Sequence, residues 1–242
     1  MRAIVGAGLL VLSFLFFVGL GAWQLDRAEQ KRALFSRFDS PDPLNVTTVL
    51  DLDDASRERY HQIRLGGRFL SSKQILLDAM THGGQAGYHV LTPFRPLKGE
   101  QSIIVNRGWI GARADRGIPD IAIAENERYI DGRLDTLPQP GLRLSVSAAS
   151  VTETWPQVVL FPTINDLEAI LKEPLFDYQL LLDAGESDGF VRDWQPRSMP
   201  PERHLGYALQ WFGLATVAAC IGIVLGVAAL RRRSDQRTRA NR

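Results

Sequence analysis

The residues best suited to chemistry lie near the end of the chain, in the string PERHLGYALQWFGLA from Pro201 to Ala215. A helical residue advances about 100°, so His204 and Trp211 fall within roughly 40° of one direction, with Tyr207 just beside them. A neutral imidazole flanked by aromatic rings suits axial binding of haem iron. The same histidine would serve equally as an interfacial side chain or a helix cap. Trp23, Tyr207 and Trp211 would then form the aromatic belt common at membrane surfaces.

Two further candidates flank this string. Gln24 and Arg27, at the outer end of an N-terminal apolar run, could hydrogen-bond to propionates or to a neighbouring subunit, although such an arginine also snorkels to lipid headgroups. Below Trp211, Ala215, Ala218, Gly222 and Gly226 continue the same face. A ladder of small residues lets another helix approach closely, and the obvious neighbour is the first apolar run. His61, His82 and His89 are scattered without metal-ligand spacing, and Asn106-Arg107-Gly108-Trp109 reads as the end of a strand, with a buried tryptophan and Arg107 in a hydrogen-bond network.

The elements that must position these residues are two apolar runs, Ala3–Ala22 and Leu205–Leu230, neither of which carries a charge. Each exceeds or matches the roughly 20 residues needed to cross a hydrocarbon core as a helix. The expected fold is a membrane protein of α+β class, with two transmembrane helices flanking an extracytoplasmic, mainly antiparallel β domain with short helices. The expected divisions are a first transmembrane helix at 3–22, a periplasmic domain at 23–204, a second transmembrane helix at 205–230 and a basic cytoplasmic tail at 231–242. The last twelve residues hold six arginines and one acid, which places both termini in the cytoplasm. The first run is longer than a signal-peptide core and lacks a clear A-x-A site, so it reads as an uncleaved anchor. Its start at residue 3 favours a bacterial inner membrane over an organelle import precursor.

The middle of the chain, about 180 residues, is enough for one domain with a real core. A net charge of +1 suggests no nucleic-acid partner. The single cysteine, Cys220, rules out an internal disulfide, and the absence of CxxC and CxxCH strings argues against thiol copper delivery and covalent haem attachment. No GxSxG, HExxH, phosphate-binding loop or carboxylate pair suggests an enzyme, and no metal site is expected. Trp23–Phe38 should extend the first helix until DSPDP stops it. Leu44–Leu52 is ambiguous. Strands are expected around Arg59–Leu70, with a bulge or turn at Gly66-Gly67, and at Gln74–Met80, Gly87–Leu97, Ser102–Ile110, Glu127–Leu137 and Phe176–Ala184. The Gly87–Leu97 and Ser102–Ile110 strands should pair as a hairpin. Thr81–Gly87, Ala112–Ile118 and Leu137–Ser150 read as loops, and Asn165–Glu173 as a short helix capped by Asn165.

GLGAWQLDRAEQK, with Gly21, Trp23, Gln24, Arg27 and Lys31, resembles the opening motif of the surfeit locus protein 1 family. GYHVLTPFRPLKGEQSIIVNRGWI resembles that family's central segment, with Asn106, Arg107, Gly108 and Trp109 as its structural motif, and PERHLGYALQWFGLA resembles its second-span signature. The three stand in the family's order and cover the whole chain. Gln30 departs from an expected tryptophan, and Gly111 from a frequent proline. The resemblance implies an integral membrane assembly factor for haem–copper cytochrome c oxidase that assists haem a insertion or maturation of subunit I. It implies haem a as a transient cofactor, with His204 as its iron ligand. It also implies subunit I and haem a synthase as partners, alongside membrane lipid. A haem-independent scaffold that steadies subunit I is the alternative, and the two differ at His204.

Overall fold

The computed structural model describes residues 2–39, 43–46, 59–113, 117–139 and 154–240. Parts of the Asp39–Pro43, Leu44–Leu52, Ala112–Ile118 and Leu137–Ser150 readings lie outside the described residues, as does the end of the basic tail. The chain divides into a helical unit, Met1–Ser36 with Arg197–Arg242, and a barrel unit, Arg37–Pro196.

Two long helices supply the helical unit, α1 (Arg2–Phe38) and α3 (Pro201–Ala240). Both are long and apolar enough to cross a membrane, over Val5–Phe38 and Pro201–Gln236. Pro201 opens α3, where a missing N–H costs no helical hydrogen bond. At about 1.5 Å per residue, each helix continues well beyond its apolar run.

The barrel unit contains β1 (Leu44–Val46), β2 (Gln62–Phe69), β3 (Ile75–His82), β4 (Gln85–Pro96), β5 (Ser102–Gly111), β6 (Arg128–Asp135), β7 (Gln157–Val159), α2 (Ile164–Leu171) and β8 (Leu175–Leu182). Strands β2, β6, β8, β5 and β4 pair in a ring that closes when β4 returns to β2. Among the described residues only β1–β2, β3–β7 and β5–β8 run parallel, so the sheet is mainly antiparallel, as expected. Alternate residues fill the ring: Ile63, Leu65 and Phe69 from β2, Ile103 and Val105 from β5, Ile130 and Leu134 from β6, and Phe176, Leu180 and Leu182 from β8. Ile104 points the other way, into a second cluster under α2 with Leu167, Ile170 and Leu171. Strand β5 is thus buried on both faces, which explains why Ile103, Ile104 and Val105 read as an unbroken apolar run rather than an alternating one.

Three local expectations are corrected. Gly66-Gly67 makes no bulge or turn; both pair regularly with β6 as Gly66↔Tyr129 and Gly67↔Arg128. The glycine at 67 serves closure, since a Cβ there would stand 2.3 Å from the Arg95 carbonyl oxygen, where β2 meets β4. The seven-residue Thr81–Gly87 loop is a tight hairpin turn, in which Gly83 and Gly84 take φ of +57° and +79° between paired His82 and Gln85. Finally, α2 is capped by Thr163 rather than Asn165. The Thr163 hydroxyl accepts from Asp166 N at 3.1 Å, and the Asp166 carboxylate accepts from Thr163 N at 2.8 Å. Glu168, the acid three residues after Asn165, instead accepts from Leu175 N at 2.8 Å and ties α2 to β8.

Candidate functional site

In the helical unit α1 and α3 run antiparallel, as two contacts fix: Phe17 lies against Trp211, and Gln24 against His204. Among the less exposed positions of α3, Pro201, His204, Ala208, Trp211, Ala215, Ala218 and Gly222 step alternately by three and four, with Phe212 and Ala219 half-buried beside them. Leu10, Ser13, Phe17, Leu20, Gln24, Arg27 and Lys31 keep the same step on α1, with Gly21 and Ala28 buried beside them. A 3.5-residue period is the seam of a left-handed helix pair.

This seam departs from the expected ladder. Steps of four drift by about 40° each, so the face predicted from Ala218 to Gly226 leaves the partner helix. Ala218 is buried, Gly222 half-buried and Gly226 exposed. A Cβ at Gly222 or Gly226 would meet no described atom within 4 Å. The tight approach is on the other helix, where a Cβ at Gly21 would stand 2.6 Å from the Phe212 ring. Ala208, buried between His204 and Trp211, was missed, although its place in the three-and-four step marks it.

His204 is the one predicted ligand that the fold buries, at 9% exposure. Its Nδ1 lies 2.8 Å from Gln24 Oε1, so the two candidates from opposite ends of the chain are brought together. For that contact to be a hydrogen bond to an amide oxygen, Nδ1 must carry the proton. Nε2 is buried and has no hydrogen-bond partner. The donor chemistry fits a haem iron: an imidazole whose far nitrogen is held by an oxygen and whose near nitrogen keeps a free lone pair. Trp211 stacks on Phe17 with ring centroids 5.8 Å apart and planes 19° from parallel. Trp23 and Tyr207 are exposed. Arg27 is held along α1, donating to Gln30 Oε1 at 2.7 Å, while Gln30 donates to Asp26 Oδ2 at 2.9 Å. Among the described residues no group of three His, Cys, Asp or Glu could hold a metal ion.

The Asn106–Trp109 string does its work in the barrel unit, within the second half of β5 rather than at a strand end, since pairing with β4 continues to Gly111. Asn106 donates to Gln179 Oε1 on β8 at 3.1 Å, lies 3.2 Å from His89 Nδ1 on β4, and accepts from Gly108 N at 3.2 Å. Arg107 donates to Gln74 Oε1, Ile121 O, Asp188 O and Ala122 O, and lies 5.0 Å above the Phe190 ring. Burial pulls its pKa down to about 10, with Asp188 opposing that fall. Gly108 has φ of +113°, and a Cβ there would stand 2.7 Å from Val191 O. Trp109 pairs with Val191 and donates its indole N–H to Met80 O at 3.3 Å. The partners Gln74, Thr92 and Gln179 went unnoticed in the sequence. Thr92 and Gln179 are polar residues inside otherwise apolar strands, which is the signal that could have found them, whereas Gln74 lies just before β3 and carries no such signal.

A closed, mainly antiparallel barrel bracketed in sequence by two apolar, membrane-length helices, with a histidine fastened at the seam of those helices, defines the class of this protein. The chain belongs to the SURF1 family, whose model matches residues 11–216. It is similar to a SURF1-like protein of Rickettsia felis, 25% identical over 221 residues, covering 88% of this chain and 93% of that protein. A SURF1-like protein of Monosiga brevicollis is 22% identical over 232 residues, covering 86% and 82%. Surfeit locus protein 1 of Takifugu rubripes is 22% identical over 233 residues, covering 83% and 88%.

Proposed function

We propose that this protein is a two-span membrane assembly factor for a haem–copper cytochrome c oxidase, and that it handles haem a during maturation of subunit I. The observation that carries the reading is the state of His204. Its Nδ1 is tied to Gln24 while its buried Nε2 has no partner. A buried polar atom without a partner is rare in proteins and calls for an explanation, and an exchangeable axial ligand supplies one. Family membership supports the oxidase role.

When bound, haem a would supply an iron that His204 would hold. Arg27, one turn from Gln24 on α1, would pair with a propionate on releasing Gln30. Trp211 and Phe17 offer a flat apolar wall below the histidine. In this reading α1 and α3 cross a bacterial inner membrane, both termini are cytoplasmic and the barrel is periplasmic. The partners are subunit I, haem a synthase and lipid, and the protein catalyses no reaction of its own.

One observation favours a scaffold instead. Because Nε2 is sealed from solvent, iron reaches it only if neighbouring chain moves aside. A histidine that merely clamps α1 to α3 needs no such movement, and a haem-independent scaffold for subunit I would use it that way.

The deciding experiment is an optical spectrum of the purified protein, co-expressed with the haem a biosynthetic enzymes, beside His204→Ala. A haem a band in the wild type that the variant loses supports haem handling. No band in either protein supports the scaffold.

A further inference from the structure

We infer that Gln24 is a positioning residue: its side-chain oxygen fixes the tautomer of His204 and so decides which ring nitrogen is left as an electron-pair donor. The inference deepens the haem-handling reading and rests on it for the identity of the acceptor, an iron in a tetrapyrrole, but its structural part stands apart from haem.

The two nitrogens of His204 are both inside the helical unit and differ completely in surroundings. Nδ1 has Gln24 Oε1 at 2.8 Å, and Nε2 has no partner. A neutral imidazole carries one proton, so only two arrangements exist. With the proton on Nδ1, the ring donates to Gln24 and the atom left without a partner is a lone pair. With the proton on Nε2, Gln24 must present its amide N–H₂ to Nδ1, and the orphan becomes a buried N–H. Orphaned buried N–H groups are rarer in proteins than under-satisfied acceptors, which selects the first arrangement. Gln24 lies in turn at a seam position of α1, between Leu20 and Arg27.

An outer partner of this kind sets ring orientation and ligand basicity at metal-bound histidines, and its loss typically weakens metal binding by about 10- to 100-fold. Gln24 thereby acts on the iron through His204 without touching it. A spacer residue with no strong acceptor would leave the ring free to turn its proton towards Nε2, blocking the lone pair that iron needs.

The test uses the full chain in lipid nanodiscs without haem, labelled with ¹⁵N at its four histidines. Two-bond ¹H–¹⁵N correlations separate the tautomers, and His204→Ala assigns the signal. The expected result is Nδ1–H in the wild type, a shift towards Nε2–H in Gln24→Met, and return to Nδ1–H in Gln24→Glu, which restores an acceptor. Nε2–H in the wild type overturns the inference on its own, even if Gln24→Met fails to fold. An unchanged ring pattern in Gln24→Met overturns it too. Titrating the same samples with haem should then show binding roughly 10- to 100-fold weaker in Gln24→Met, with recovery in Gln24→Glu. Equal haem affinity in wild type and Gln24→Met refutes the positioning role. If the tautomers behave as stated while the wild type takes up no haem, the haem-handling reading falls and the hold of Gln24 on the imidazole stands.

Discussion

Nη1 of Arg107 donates to Gln74 Oε1 at 2.9 Å, and the same oxygen accepts from the Thr92 hydroxyl at 3.1 Å. Both lone pairs of one glutamine oxygen are thus filled inside the barrel unit, by a buried cation from β5 and a hydroxyl from β4. The charge is spread over the oxygens of Gln74, Ile121, Ala122 and Asp188 rather than matched to one carboxylate.

Arg107→Met should therefore cost the barrel about 3 kcal/mol or more, since it strands several buried acceptors at once. Arg107→Lys should recover little, because an ammonium cannot reproduce the planar fork. Urea denaturation of the solubilised full chain, followed by tryptophan fluorescence, measures both. A lysine variant as stable as wild type would show that only the charge matters.

Glycines near β-strand pairings should differ sharply. A Cβ at Gly67 meets the Arg95 carbonyl oxygen at 2.3 Å, whereas one at Gly111 meets nothing nearer than the Trp109 ring at 3.5 Å. Gly67→Ala is expected to lose about 1–3 kcal/mol through forced backbone movement, and Gly111→Ala to stay within about 0.5 kcal/mol of wild type. Equal losses in the same denaturation assay would dismiss Gly67 as the closure point.

The helix pair makes a parallel prediction. Gly21→Leu would drive a side chain into the Phe212 ring, while Gly19 has no described atom within 4 Å of a built Cβ. Gly21→Leu should lower the thermal midpoint in detergent, and Gly19→Leu should leave it near wild type. Shortening the ring with Phe212→Ala should restore part of the loss at Gly21. A double variant no better than Gly21→Leu alone would place the damage elsewhere.

Acid should loosen the barrel through Glu173. Burial raises the pKa of this carboxyl, but hydrogen bonds and charge from Lys73, at 2.8 Å, and Arg95, at 2.7 Å, outweigh it and hold the pKa below the ordinary value of 4.5. A carboxyl depressed by folding stabilises the fold above its unfolded pKa, and that contribution fades as pH falls through the folded value. The gap in urea midpoint between wild type and Glu173→Gln should be widest near pH 7 and should narrow below about pH 4.5. A gap that does not change with pH would mean that the pair acts by packing alone.

The two apolar helices and most strands were legible because their periods differ so plainly. Uncharged runs mark α1 and α3, and alternation marks β2 and β6. The β4–β5 hairpin was legible from two strand patterns separated by a short polar turn. Ring closure was not legible, because it depends on Gly67 meeting Arg95 across the barrel, and glycine pairs read locally as turns. In the candidate site, His204 was legible as a residue of unusual type in an unusual place. Its partner was legible as a hydrogen-bonding residue at the outer end of the first apolar run, but no local signal assigns Gln24 to His204 when 180 residues separate them. The small-residue ladder was misjudged because steps of four look continuous on paper, whereas an antiparallel pair keeps a step of three and a half.

The last strand of the barrel in chain order, β8, is also the piece that sits between β6 and β5. Both neighbours are synthesised before it, so until residues 175–182 arrive each presents a bare row of amides and carbonyls. A nascent chain cannot finish its barrel from the N-terminus onward; it must hold two open edges and a buried-to-be glutamine, Gln179, in waiting. Barrel completion and the emergence of the second apolar helix, which follows within about twenty residues, are therefore nearly simultaneous events in the life of this chain.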